Sequence, residues 1–313
     1  MPLSTERTQF DELSAIVNSG NVPNYVTFHR FLPMVSVTER SGNIAVMPVD
    51  GAAVGTENKE GASRTAEMLT SKSVSYALTT RAAKRTGVLF DEEAQLGNDL
   101  DNVIALGGGR CAREFFRGVE SAAWTLLGTT SKTVALKAGT ILAQIQEAVD
   151  AVTVCGEPVL VITRKGLRAL RSVAEVKEHL TTVAKVIGDD GVVKTKPQAF
   201  AQAIADLCDV AEVIVVDDTM VASGANAYFF VMGRRPEAMG GDSQIRVAKA
   251  NPVAAAIVFQ RPAEAPADDF PLASIYGYAD NKDEANYFDA QGRYQGVLCN
   301  GEGVYKVTLP TAS

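Results

Sequence analysis

YVTFHRFLPMVSV, residues Tyr25–Val37, opens the stretch that decides the fold, and SYALTTRAAKRTGVLFDEEAQLGNDL, residues Ser75–Leu100, completes it. The first run is apolar and rich in β-formers. A short strand is expected at Asn43–Val49, followed by a tip of glycines, charges and small polar residues from Gly51-Ala-Ala-Val-Gly55 to Gly61-Ala-Ser-Arg64. The return strand, expected over Ser73–Phe90, alternates Val74, Tyr76 and Leu78 against Ser73, Ser75 and Ala77, as a half-buried strand does. A hairpin with so long a polar end cannot bury itself in its own core. It either stands in solvent or lies on a neighbouring molecule, which points to a subunit made for assembly.

Asp91 can cap the helix that follows, and Glu92 and Glu93 suit the positive end of its dipole. A stripe of Leu100, Ile104, Gly107, Cys111, Phe115, Val119, Ala122 and Leu126 holds helical phase for about seven turns. Gly107-Gly108-Gly109 sits inside it, and each glycine costs a helix roughly 1 kcal/mol relative to alanine. The phase agrees on both sides, which favours a continuous helix with a close backbone contact at the glycines over a break. Leu136–Val154 reads as a second amphipathic helix.

From Glu157 the elements alternate. Pro158–Thr163 is a buried strand, Thr163 caps a helix through Arg171, and Pro197 starts another helix ending at Cys208. Strands are expected at Val213–Asp217, Ala227–Gly233 and Val253–Phe259, the first two completing a small α/β unit. A terminal β-hairpin region, Tyr287–Leu309, has turns at Gln291-Gly292 and Asn300-Gly301. Residues 1–24 read as an arm, not a domain.

With 313 residues, 46% hydrophobic and 21% charged, the composition is that of a soluble globular chain. No apolar run has the length a membrane helix requires, and the N-terminus lacks the pattern of a secretion signal, so a cytoplasmic product is expected. The formal charge of −7 argues against coating nucleic acid through phosphate neutralisation, though not against enclosing it. Cys111, Cys155, Cys208 and Cys299 form no C-x-x-C pair and read as buried apolar side chains.

Several fragments imitate catalytic motifs. Gly107-Gly-Gly109-Arg-Cys-Ala112 resembles a dinucleotide turn, but its preceding residues are helical where that turn needs a strand. Val213–Asp218 has the strand and carboxylates of a nucleotide hydrolase without a phosphate-binding loop anywhere in the chain. Gly241-Asp-Ser243 offers a serine nucleophile, yet neither His29 nor His179 lies in a motif that would pair with it. The pairs Asp189-Asp190, Asp217-Asp218 and Asp268-Asp269 could serve a metal or acid–base chemistry, and all stand where solvated turns are expected. No catalytic residue, cofactor or metal site is assigned.

Arg81, Lys84 and Arg85 cluster on the return strand of an acidic protein. They form either a solvated strand face or a set of partners for a neighbouring subunit's carboxylates, steering register more than adding affinity. On the second reading, charge reversal at Lys84 and Arg85 hinders assembly and leaves the monomer folded.

The order of these elements resembles the tailed-phage major capsid proteins of the Hong Kong 97 fold. YVTFHRFLPMVSVTERSGNIAVMPV is similar to that family's lead-in to its extended loop, and SYALTTRAAKRTGVLFDEEAQLGNDL to the hairpin return entering a long spine helix. PVLVITRKGLRALRSVAEVKEH and VAEVIVVDDTMVASGANAYFFVMG look like the axial domain, and VYKVTLP like a closing strand of the peripheral domain. The resemblance rests on collinear order across most of the chain, not on one diagnostic motif. It implies an α+β fold with an N-terminal arm and lead-in strand (1–34), an extended β-hairpin loop (35–90), a peripheral domain with the spine helix (91–156), an α/β axial domain (157–250) and a return to the peripheral domain (251–313).

The resemblance further implies a non-enzymatic subunit that assembles as hexamers and pentamers into an icosahedral shell around double-stranded DNA. Such a subunit sits in the virion capsid, is assembled in the host cytoplasm, and meets copies of itself, a portal and decoration proteins. The short segment before the arm implies a separate scaffolding protein. Intersubunit contacts are expected at Lys59, Arg64, Arg81, Lys84 and Arg85. Some members cross-link a loop lysine to a neighbour's asparagine; Lys59 lies at the matching place, but with no partner in view no cross-link is expected, and covalent ladders on a denaturing gel would overturn that. The alternatives are an encapsulin-like compartment enclosing protein cargo and, in another class, a small-molecule enzyme on the 157–250 unit.

Overall fold

The computed structural model describes residues 8–9, 26–46, 72–79, 82–90, 100–179, 197–219, 221, 227–234, 254–260 and 274–309. Its axis is one unbroken helix, α1 (Leu100–Leu127), 28 residues long. The glycine triplet does not interrupt it. A Cβ on Gly107 would stand 2.2 Å from two ring carbons of Phe288, so the absent side chain is what lets a strand lie flush on the helix. The fully buried side of α1 is wider than the expected stripe: Val103, Cys111, Phe115 and Val119 continue it, and a second row adds Phe116, Glu120, Ala123 and Leu127.

Before α1 come β1 (Thr8–Gln9), a 3-10 turn (Phe28–Arg30), β2 (Met34–Val37), β3 (Ser41–Val46), β4 (Lys72–Ala77) and β5 (Ala82–Leu89). After it come β6 (Thr133–Ala135), α2 (Ile141–Val152), β7 (Glu157–Thr163), α3 (Arg164–Ser172), α4 (Pro197–Cys208), β8 (Glu212–Val216) and β9 (Tyr228–Arg234). The chain ends with β10 (Ala255–Gln260), β11 (Ser274–Asp280), β12 (Ala285–Gly292), β13 (Tyr294–Leu298) and β14 (Val304–Thr308). No helix among the described residues is long and apolar enough to cross a membrane.

Four sheets result. The antiparallel sheet β1-β11-β12-β5 lies on α1, alternating Ile275, Gly277 and Ala279 inward against Tyr276 and Tyr278 outward. The Cys111 thiol ties it to the helix, donating to the Phe288 carbonyl at 3.2 Å and accepting from the Ala290 N–H at 3.0 Å. A second sheet, β13-β10-β2, pairs β10 antiparallel with β13 and parallel with β2. The third, β6-β14-β9-β7-β8, is the α/β unit: β7 and β8 run parallel, and β6 and β14 from outside 157–250 complete it. One face (Leu160, Ile162, Phe229, Val231) meets α2, α3 and α4. The other (Val161, Ile214, Phe230, Met232) joins the core built on α1. The fourth sheet is the β3–β4 hairpin, paired from Ser41↔Ala77 to Val46↔Lys72.

Two helix ends show how the local chemistry works. Thr163 caps α3 as expected, its hydroxyl accepting the Gly166 N–H at 3.0 Å. At α2, Thr140 makes no side-chain cap. The Ile141 and Leu142 N–H groups donate instead to Glu175, 33 to 34 residues away, at 3.0 and 3.3 Å.

Three sequence expectations change. The lead-in strand expected from the β-rich run Tyr25–Val37 is a strand only over Met34–Val37, because Phe28–Arg30 turns as a 3-10 helix with Phe28, Phe31 and Leu32 buried. The single return strand over Ser73–Phe90 is two strands, β4 and β5, in different sheets. The break is held from a distance: the Arg293 guanidinium donates to the Leu78 and Thr79 carbonyls at 3.2 and 3.0 Å, and Gln295 accepts the Ala77 N–H at 2.8 Å. Backbone groups that leave one ladder thus find partners before the next. The terminal hairpin region is likewise no hairpin, since β12, β13 and β14 enter three different sheets. The strand that does pair with β12 on one side is β11, which the sequence expectations omit although Ile275, Tyr276 and Tyr278 are β-formers. The Asp91 cap lies outside the described residues.

Candidate assembly surface

Of the five expected contact residues, Lys59, Arg64 and Arg81 lie outside the described residues. Lys84 stands on β5 opposite Ala290. Arg85 follows it, opposite Asp289, on the sheet face turned away from α1. Its Nε donates to Asp289 Oδ1 at 2.9 Å, and its guanidinium lies 5.6 and 5.5 Å from the ring centres of Tyr278 and Tyr287. That hydrogen bond raises the Arg85 pKa. Asp289 is buried to 6% side-chain exposure while Arg85 keeps 59%, so the pair holds a local platform and adds little stability.

Tyr287 extends the platform: its hydroxyl donates to Asp283 at 2.8 Å, which raises its pKa, and its ring packs 5.7 Å from Tyr278. Leu89, 52% exposed, lies on the same strand and sheet face as Arg85. Reversing Arg85 therefore sets a carboxylate against Asp289 of the same chain, so that substitution does not isolate assembly.

The lead-in segment is fastened at two places that sequence reasoning missed. Glu120, 1% exposed on α1, accepts the Thr27 N–H at 3.1 Å, the Phe28 N–H at 2.9 Å and the Thr27 hydroxyl. Burial raises its pKa, and the bonds from Thr27 and Phe28 offset only part of that. The legible signal was a carboxylate inside the helical row Phe116, Ala123, Leu127. At the end of the 3-10 turn, Arg30 pairs with Glu212, and Arg234 donates to Glu212 Oε2 at 2.5 Å and to the Arg30 carbonyl at 3.3 Å. Glu157 joins at 3.7 Å from Arg234. The turn is thus tied to α1 on one side and to the α/β sheet on the other.

The residues weighed for chemistry take plainer roles. His29 sits half-buried in that turn, its pKa lowered by burial and by Arg30, while His179 is exposed. Asp217 accepts the Thr219 N–H and hydroxyl at 2.9 and 3.0 Å, and with Arg164 and Arg113 nearby its pKa is lowered. Asp218 accepts the Lys165 N–H at 3.0 Å. Asp189-Asp190, Gly241-Asp-Ser243 and Asp268-Asp269 lie outside the described residues. All four cysteines are buried thiols, with Cys208 and Cys299 pushed up to about 12 by burial. Among the described residues no group of three or more His, Cys, Asp or Glu comes together as metal ligands would.

No protein-family model matches the chain, and no curated protein matches its sequence. Solved structures do match its fold. A phage-related protein from Bordetella bronchiseptica superposes with a TM-score of 0.63 at 13% identity, covering 98% of this chain and 100% of that one. The capsid of an empty GTA particle gives 0.53 at 14% identity, over 93% and 91%. A virus-like particle from Pyrococcus furiosus gives 0.53 at 11% identity, over 95% and 98%. The chain has the mixed helix-and-strand fold of phage capsid structures, the mature capsid of bacteriophage PhiM1 among them (TM-score 0.50, 13% identity, over 93% and 90%).

Proposed function

We propose that this chain is a major capsid protein of a tailed phage, of the Hong Kong 97 fold. It assembles as hexamers and pentamers into an icosahedral shell around double-stranded DNA, and its role is structural, without a catalytic site or cofactor. The observation that carries this reading is the superposition on the PhiM1 and GTA capsid structures over more than nine-tenths of the chain. The described base of the β3–β4 hairpin is seated on the chain's own second sheet, with Ile44, Tyr76 and Leu78 buried against Val35, Val258 and Val297.

On this reading residues 1–34 are the arm and lead-in, 35–90 the extended loop, 91–156 and 251–313 the peripheral domain and 157–250 the axial domain, whose sheet borrows β6 and β14. Lys59, Arg64, Arg81, Lys84 and Arg85 are proposed to lie at contacts between subunits. The partners are copies of the chain, a scaffolding protein, a portal and decoration proteins, and the location is the virion capsid after assembly in the host cytoplasm. A second reading is an encapsulin-like compartment with protein cargo; the likeness to a virus-like particle supports a closed shell under either reading.

Deleting Ala52–Thr70 tests the loop's part. Sedimentation velocity is expected to show free subunits with an unchanged circular dichroism spectrum. Intact particles from the deletion variant would contradict the role given to the loop.

A further inference from the structure

The chain is acidic overall, yet two of its helices carry rows of arginine. On α1, Arg110, Arg113 and Arg117 are exposed at i, i+3 and i+7, within one side of the helix. On α3, Arg164, Arg168 and Arg171 are exposed at i, i+4 and i+7, with Lys165 beside them, while Leu167 and Leu170 point into the core. The rows converge at the C-terminal end of β8: Arg164 Nη2 stands 3.8 Å from Asp217 Oδ2. Arg113 is close enough to the same carboxylate to help lower its pKa. Carboxylates beside the rows offset part of this charge. Glu114 reaches Arg117 at 3.8 Å across solvent, and Asp217 and Asp218 are engaged by Thr219 and the Lys165 N–H.

We propose that the arginine rows of α1 and α3 form one surface for the phosphate backbone of duplex DNA. Arg110 to Arg117 spans about 10 Å of helix axis, which matches about three phosphates of one strand at ~3.4 Å each. Six of the seven cations are arginine, whose planar fork of donors suits phosphate oxygens. A protein partner anchored on arginines packs them among aromatic or apolar side chains in a desolvated centre. Among the described residues the exposed large apolar side chains are Leu89 and Val154, and neither belongs to these rows. That this surface lines the inside of a shell rests on the shell reading; that it binds duplex DNA does not.

The test is fluorescence anisotropy of a labelled 30-base-pair duplex with the full-length chain, taken from the free-subunit fraction of a sedimentation run, across a salt series. Binding is expected to weaken steeply with salt. R110Q/R117Q and R168Q/R171Q are each expected to flatten the slope of log K against log salt by about 2, at about 0.9 for each phosphate no longer neutralised. K137Q/K282Q, which removes two exposed lysines that belong to neither row, is expected to leave the slope unchanged. Circular dichroism confirms that each variant is folded. Salt-insensitive binding, a slope unmoved by either arginine pair, or flattening by one pair alone would overturn the joint surface. Polyglutamate binding as tightly as the duplex would overturn the choice of partner. Salt-dependent duplex binding by a chain that never forms particles would leave this surface standing while removing the shell.

Discussion

Glu120→Leu is expected to lower the free energy of unfolding by about 3–5 kcal/mol, because two backbone N–H groups and a hydroxyl lose their acceptor in a buried site, at about 1–3 kcal/mol each. Those donors belong to Thr27 and Phe28, so the lead-in turn comes loose from α1 first. Glu120→Gln behaves differently. One amide oxygen can accept both N–H groups while the amide nitrogen donates to the Thr27 hydroxyl, reproducing the protonated carboxyl. Burial raises the Glu120 pKa above its ordinary 4.5. The folded state therefore holds this proton more tightly than the unfolded chain does. The group's contribution is complete below the unfolded value and is lost as pH rises through the folded one. Urea denaturation from pH 4 to 7 should show E120Q gaining on the native protein as pH rises. A glutamine variant as unstable as the leucine variant at pH 7 would contradict this account of the anchor.

Two alanine substitutions two residues apart on α1 are expected to have opposite signs. Gly109 is exposed with nothing within 4 Å of an added Cβ, so Gly109→Ala should stabilise by about 1 kcal/mol through helix propensity alone. Gly107→Ala gains the same propensity but drives a methyl to 2.2 Å from the Phe288 ring, which is fully buried and cannot swing aside. Overpacking costs about 1–3 kcal/mol, and more where backbone must shift, so the net effect is destabilising. Thermal unfolding of both variants checks the signs. The double variant G107A/F288L should recover part of the loss, since the smaller side chain vacates the space. Stabilisation by Gly107→Ala would mean that β12 does not lie against the helix there.

The difference between what was legible in the sequence and what was not follows the range of each interaction. The continuous helix through Gly107-Gly108-Gly109, the Thr163 cap and the helix beginning at Pro197 are local matters of phase, capping and ring geometry, and each reads directly from neighbouring residues. The break between β4 and β5 depends on Arg293, more than two hundred residues away. Glu120 reads as one more polar residue on a helix until Thr27 and Phe28 arrive from 93 and 92 residues upstream. Arg85 was legible as part of a basic cluster, but its partner Asp289 lies on a strand that pairs only in the folded chain. Nor does alternation along β12, β13 and β14 say which sheet each strand joins. The arginine rows were visible in helical phase, and the net charge of −7 hid them, because a total says nothing of distribution.

Electron microscopy of the purified full-length protein tests the central claim most directly. Closed icosahedral shells built from this chain, with hexamers and pentamers resolved and DNA inside the particles from infected cells, are the expected result. Shells filled with protein cargo would favour the compartment reading. A field of compact monomers or dimers at every concentration and salt tested would contradict the shell altogether.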